Sequence, residues 1–433
     1  MQKMVLPGQW DTSSMPPPLP NRRGRRAKKR RLVVVTAVVL FALILTGGSA
    51  LALFKFNPML LSNMVHHDKQ KDQHMAQNYG SPTTTMMMNN GGQAVTSINN
   101  LAHISVVGST AFIVDGHGRT ISADANPYGI AIAPNNMTPG ALKPGDILVT
   151  NFGATNTGTT LVRFPAGKGP GLLFNAMTTP GTKGPAFEAF NPLTETDWVA
   201  NFSGNNVQVF NPNGTIKVTI TSPLFKMPWA MASNHGMRNA MDGGVGSFFT
   251  TNTGDATIDR IDVIPTAKGT TFRVFQIGQL TQVNGGTKLN ATWVPSLQIG
   301  GQHLTDVLLV LDIANNRVAA YPNSTTMNTT AMRSTNKGMT VFQGKPLNAP
   351  AGLTINPLNG DLLVVNMNDN NLVEVNLAQG KAVGTRQLDN VPVDAQSGNG
   401  SALFGVAAAT DARGNLEVFF TDDNMNTLNV LGV

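Results

Sequence analysis

Residues 349–375 read APAGLTINPLNGDLLVVNMNDNNLVEV. A Pro-containing turn opens onto a short apolar run, and a Gly/Asp turn follows at Gly360-Asp361. A stronger apolar run then ends at Asn366, and an Asn-rich turn leads into a third, alternating run. Each run is too short for a helix and is bounded by turn residues, so the stretch reads as three strands of an antiparallel meander. The same order recurs from about residue 103 to the end. The six second runs end at Asn151, Asn201, Asn252, Asp312, Asn366 and Asp422, at intervals of 50, 51, 60, 54 and 56 residues. A period of about 40–60 residues built from short strands, without a helical pattern, is the signature of propeller blades of four strands each. Counting therefore predicts an all-β, six-bladed propeller over residues 103–433. The last unit stops at its third strand, Val430–Val433, so the fourth is expected from Ile104–Gly116 or Thr120–Ala123. That pairing closes the ring and covers a sheet edge.

The repeated pattern P-x-G-[IL]-A, then G-[DN]-[IL]-x-V-x-[ND], then N-x-[VL]-x-[VR]-[FV] resembles NHL-type repeats of the six-bladed, TolB-like propeller group. VANFSGNNVQVF (199–210), VLDIANNRVAAY (310–321) and residues 349–375 carry the resemblance best. It implies the propeller fold over about 330 residues. It implies no single activity, since such propellers serve as adhesive modules, scaffolds, lyases and lactonases. The chain departs from the family in placing Asn where NHL units usually carry Asp. It also lengthens the first turns of units one and three, at 135–143 and 234–246.

The charge distribution places the propeller. The chain has 433 residues and a net charge of +7, but nine basic residues and one acid, Asp11, lie in the first 31 positions. The remaining 402 residues carry 22 basic and 23 acidic groups, so the propeller has no basic surplus for phosphate binding and nucleic acid is not an expected partner. Residues 32–54 are 23 uncharged, mostly apolar residues, about 34 Å as a helix and enough to cross a bilayer core. The RRGRRAKKRR cluster before them sets the orientation with the N-terminus cytoplasmic. The reading is a single-pass cell-membrane anchor behind a Pro-rich cytoplasmic tail (1–31). The alternative is a signal cleaved near Ala52, in a small-x-small site, which would release a secreted protein. Either way the rest of the chain is extracytoplasmic. Residues 55–102 read as a disordered polar stalk, and His66, His67, His74 and Met86–Met88 within it match no closed metal shell. Cysteine is absent, which excludes disulfides and thiol chemistry.

In a meander blade the second-to-third turn shares a rim with the start of the first strand. The Asx ring (Asn151, Asn201, Asn252, Asp312, Asn366, Asp422) is therefore expected beside the residues after each opening Pro or its equivalent: Tyr128, Ala186, Trp229, Ser296, Ala351 and Phe404. Tyr128, Trp229 and Phe404 at a channel mouth fit a neutral polar ligand such as a glycan, or a peptide or protein. Asx residues at strand ends also bond their own turns, and aromatics after an opening Pro also plug a propeller channel. The resemblance to lactonases implies an alternative: a divalent metal such as calcium held by Glu188 with Asn252, Asp312 and Asp422, on hard oxygen ligands. His235 and His303 fall off the repeat positions, and no G-x-S-x-G, H-E-x-x-H, G-x-G-x-x-G or P-loop motif occurs. The expectation is a ligand-binding or adhesive module without a cofactor; the alternative is an exported propeller hydrolase or lyase.

Overall fold

The computed structural model describes residues 94–433 apart from 136, 138–141, 193, 235–245, 284–285, 328–333 and 395–397. Twenty-six strands form six sheets, and the blades follow the counted units. The first strand, β1 (His103–Ser109), leaves the N-terminal segment and is followed by the short hairpin β2 (Phe112–Val114) and β3 (Thr120–Ser122). Blade one is β4 (Pro127–Ile132), β5 (Ile147–Asn151), β6 (Leu161–Phe164) and β7 (Leu172–Leu173); β2 joins its outer edge, parallel to β7. Blade two is β8 (Pro185–Asn191), β9 (Thr196–Asn201), β10 (Asn206–Phe210) and β11 (Ile216–Ile220). Blade three is β12 (Pro228–Ser233), β13 (Gly246–Asn252), β14 (Thr257–Thr266) and β15 (Gly269–Gln279). Blade four is β16 (Ala291–Ile299), β17 (Gln302–Asp312), β18 (Arg317–Tyr321) and β19 (Met339–Gln343). Blade five is β20 (Pro350–Ile355), β21 (Leu362–Asn366), β22 (Asn371–Asn376) and β23 (Lys381–Gln387). Blade six is β24 (Leu403–Thr410), β25 (Leu416–Asp422) and β26 (Thr427–Gly432), completed by β1.

The closure is the expected one: β1 pairs antiparallel with β26 from His103↔Gly432 to Ser109↔Thr427, through one bulge. It leaves the terminal strand without an open edge and joins the two ends of the propeller, the usual way a radial sheet array resists opening. Of the two candidate segments, the Thr120–Ala123 run goes elsewhere, into the β2–β3 hairpin on blade one.

The innermost strands are held to one another by a repeated threonine. Thr150 Oγ accepts from Gly129 N–H (2.8 Å) in its own blade and donates to the Ala186 carbonyl of the next (2.6 Å). Thr421 does the same with Gly405 N–H (2.9 Å) and the Tyr128 carbonyl (3.3 Å), and Thr251 with Ala230 N–H and the Leu289 carbonyl. The glycine of the P-x-G motif is required by the same approach. A Cβ on Gly129 would stand 2.6 Å from Thr150 Oγ and 2.7 Å from the Ala186 carbonyl oxygen, closer than real carbon atoms come.

Two boundaries differ from expectation. Blade four does not open at Pro295. Ala291 pairs with Val310 as Ile130 pairs with Val149, and the Leu289 carbonyl takes an inter-blade threonine bond as the Tyr128 carbonyl does, so Leu289 occupies the position of Tyr128 and Trp229 while Ser296 lies far along β16 opposite Thr305. β16 and β17 run 9 and 11 residues and project beyond the shorter blades, and Pro295 is tolerated because β16 is an edge strand. The stalk expected through residue 102 gives way to packed chain by Val95. A short 3-10 turn, Ile98–Asn100, buries Ile98 and Leu101 in a cluster with Leu363, Leu372 and Leu403. The Glu374 carboxylate accepts from Ser97 Oγ (2.6 Å), Ile98 N–H (3.1 Å), Asn356 (3.0 Å) and Asn359 (3.0 Å). Two apolar residues among polar ones were too sparse a pattern to mark this docking in advance. Among the described residues no helix is long and apolar enough to cross a membrane; the segment 32–54 lies outside them.

Candidate functional site

The six innermost strands line the axis, and their burial is graded. β4 and β20 run from fully buried at Pro127 and Pro350 to half-buried at Ala131–Ile132 and Thr354–Ile355, and β24 ends exposed at Thr410. The axis is therefore closed at the end where these strands begin and opens toward the end where they turn back.

The closed end is where Tyr128, Trp229 and Phe404 meet. The Tyr128 ring stacks on Phe404 (centroids 4.0 Å apart) and Phe152 (4.5 Å), and lies 5.5 Å from Trp229. Trp229 in turn meets Phe152, Phe187 and Phe202 within 5.3–5.8 Å. The sequence-predicted aromatics are thus brought together, but as a plug: Trp229 is 1% exposed, Phe404 4% and Tyr128 6%. Lys288, from the segment before β16, lays its ammonium over the three rings, 5.3 Å from the centroids of Trp229 and Phe404 and 5.9 Å from Tyr128. The chain's own cation occupies the face that an external cation or sugar would need. Burial lowers the Lys288 pKa, and it raises Asp423 to about 7 against the pull of that ammonium.

The Asx ring is buried and engaged in hydrogen bonding. Asn151 donates to the Thr110 carbonyl (2.9 Å) and Asn366 to the Pro346 carbonyl (2.9 Å). Asn201 bonds Asn206 and Gln208, and Asn252 bonds Thr257 and Asp259. Asp312 takes Arg317 at 3.0 Å, and Asp422 accepts from Met425 N–H (3.0 Å). Asn201, Asn252, Asp312 and Asp422 bond within their own second-to-third turn or third strand, the work Asx side chains commonly do at strand ends, whereas Asn151 and Asn366 tie the strand end to chain that precedes the blade.

Beyond the plug lies a cavity of about 310 Å³ lined by all six innermost strands. Phe187 forms the boundary, touching Trp229 on one side and the cavity on the other. Glu188, the next residue, is the only charged side chain in the six innermost strands. It lines the cavity, is 5% exposed, and its oxygens meet no hydrogen-bond partner from the chain other than a neighbouring carboxyl. Its neighbour is a second carboxyl. Glu188 pairs with Val199 and Phe190 with Asp197, so Glu188 and Asp197 are diagonal neighbours on one face of the β8–β9 hairpin. Burial raises both: Asp197 to about 8, and Glu188 well above the usual range, with the repulsion of Asp197 added. The hydrogen bond between the two requires a proton on one of them. Asp197 went unread in the sequence, yet hairpin register identifies it: position numbers that sum equally lie opposite, which places 188 and 197 two residues apart on the same face.

The metal set does not fit. Glu188 lies in the cavity, whereas Asn252, Asp312 and Asp422 are engaged at the plugged end. Among the described residues no group of three His, Cys, Asp or Glu is close enough to hold an ion. His303 sits on the projecting β17 beside Gln298, and His235 lies outside the described residues.

No protein-family model and no curated protein sequence matches the chain. Solved structures do. A catalytically inactive virginiamycin B lyase from Staphylococcus aureus with quinupristin matches over 72% of this chain and 96% of its own, at 12% identity and a TM-score of 0.42. A Bacteroides thetaiotaomicron protein of unknown function matches over 76% and 75%, at 12% identity and a TM-score of 0.46. A chain of a nidogen/laminin complex matches over 64% and 87%, at 15% identity and a TM-score of 0.43. Likeness at this level bears on neither activity nor ligand.

Proposed function

We propose that the protein is a membrane-anchored, extracytoplasmic propeller of NHL type that binds a ligand, such as a glycan or peptide, in its central cavity. The observation that carries the reading is the cavity itself: about 310 Å³, bounded by all six blades, closed at one end by the aromatic plug and holding one unsatisfied buried carboxyl. A concave chamber lined largely by apolar side chains, with a few placed polar groups (here Glu188, Ser233, Asn290, Thr292 and Thr354), is the usual form of a small-ligand site. The aromatics do not offer that surface, because they are spent on one another and on Lys288. The anchor over residues 32–54 supports a role at the outer face of a membrane, where a recognition domain on a tether reaches its partner. Ala408→Trp tests the assignment, since Ala408 is half-buried and lines the cavity away from the plug. Loss of binding to an array of glycans and peptides or to isolated cell envelopes, with an unchanged melting temperature, is expected. Retained binding refutes the cavity as the site.

A further inference from the structure

We propose that the central cavity recognises a ligand through a protonated amine, with the Glu188–Asp197 pair as its counter-ion; the inference deepens the cavity reading and rests on it. Two carboxyls buried side by side with no cation are costly, and proteins tolerate them where a ligand completes the group. Glu188 is 5% exposed and Asp197 1%, their oxygens meet no partner beyond each other, and Glu188 faces the cavity. The cavity lining contains no Lys, Arg or His. The strands packed on β8, namely β4, β5, β9 and β12, hold only Asp197 and the plug residue Tyr128 as titratable groups, and β16, β20 and β24 across the cavity hold none. Asp146, just before β5, is bonded to Arg163 at 2.7 Å. Among the described residues no cation faces the pair, and a ligand from outside the chain can supply one.

The walls choose an organic cation over a metal ion. Around Glu188 the cavity presents Phe187, Phe190, Trp293 and Met231. The Asn290 amide is committed to the Ala351 carbonyl (3.0 Å) and Ala291 N–H (2.7 Å). A divalent ion needs six or more oxygen ligands and would find two carboxyls. An ammonium on an apolar body needs one or two acceptors and gains from the aromatic faces. Because the pair shares a proton, a cation that takes its place expels that proton, and affinity rises with pH by up to about tenfold per unit while the pair remains protonated.

The test is calorimetric titration of the detergent-solubilised full chain with benzylammonium chloride at pH 6 and pH 8, with benzyl alcohol, calcium chloride and manganese chloride as separate arms. Expected are benzylammonium binding at least tenfold tighter at pH 8, proton release seen as different heats in phosphate and Tris buffers, and no comparable binding of benzyl alcohol. Glu188→Gln is expected to abolish the binding and its pH dependence with the fold retained, and Asp197→Asn to move the proton release to lower pH, since burial alone still raises Glu188. Equal binding of benzyl alcohol, preferential binding of calcium or manganese, or no benzylammonium binding at either pH overturns the amine assignment. If Ala408→Trp nevertheless removes envelope or array binding, the cavity reading survives that failure. If Ala408→Trp changes nothing, the cavity reading is what failed.

Discussion

Replacing Trp229 by alanine separates a plug from a ligand surface. Trp229 is 1% exposed and meets Tyr128, Phe152, Phe187 and Phe202 with centroids 5.3–5.8 Å apart. Removing a buried aromatic costs about 3–5 kcal/mol, and four ring neighbours from several blades cannot all collapse into the gap, so the upper half of that range applies. The ammonium of Lys288 also loses one of its three rings. Unfolding entropy of about 2.1 cal/mol/K per residue over the roughly 340 residues from 94 on gives about 0.7 kcal/mol/K, so a loss of about 4 kcal/mol lowers the melting temperature by about 6 °C. Differential scanning calorimetry reads the shift, and Trp229→Phe, which keeps most of the ring contacts, should lose less. A shift below about 1 °C accompanied by lost glycan or peptide binding would refute the argument, because it would mean that the ring faces ligand rather than its neighbours.

Three further outcomes follow from single groups. Thr150→Val keeps the volume but leaves Gly129 N–H and the Ala186 carbonyl unpaired between blades one and two, a loss of about 1–3 kcal/mol in chemical denaturation, while Val149→Ala near it measures packing alone. Glu374→Gln places an amide donor against Ser97, Ile98, Asn356 and Asn359, all of which donate, so limited proteolysis should cut the chain before residue 103 much faster than in the parent. Glu188 and Asp197 are raised in the folded state, Asp197 to about 8, so the folded protein binds the extra proton. Their contribution is fully present below about pH 4 and lost as pH rises toward about 8. The melting-temperature difference between the parent and the Glu188→Gln/Asp197→Asn double variant should therefore fall between pH 5 and pH 8, and a constant difference removes the shared proton.

The blade count and the ring closure were legible because both depend on what the blades have in common. Each second strand ends in a buried Asx that is hydrogen-bonded there, so the spacing of Asn151, Asn201, Asn252, Asp312, Asn366 and Asp422 measures the blades directly. The Thr-Asx pairs at Thr150-Asn151, Thr251-Asn252 and Thr421-Asp422 were equally visible, and they mark the inter-blade staples. Blade four was misplaced because Pro295 imitates an opening proline in a hairpin that overshoots its neighbours. The aromatics that share the rim were legible, but whether they face ligand or plug the channel was not. Periodicity fixes which side chains share a level of the axis, whereas Lys288, which stands where most other blades carry an opening proline, helps close that level. A repeat records only what every blade needs, so a site must lie where one blade departs from the rest. In the six strands around the axis that departure is a single carboxyl, Glu188, placed next to a second one where the other blades have none, and a charge that the fold does not use is the strongest indication that something else does.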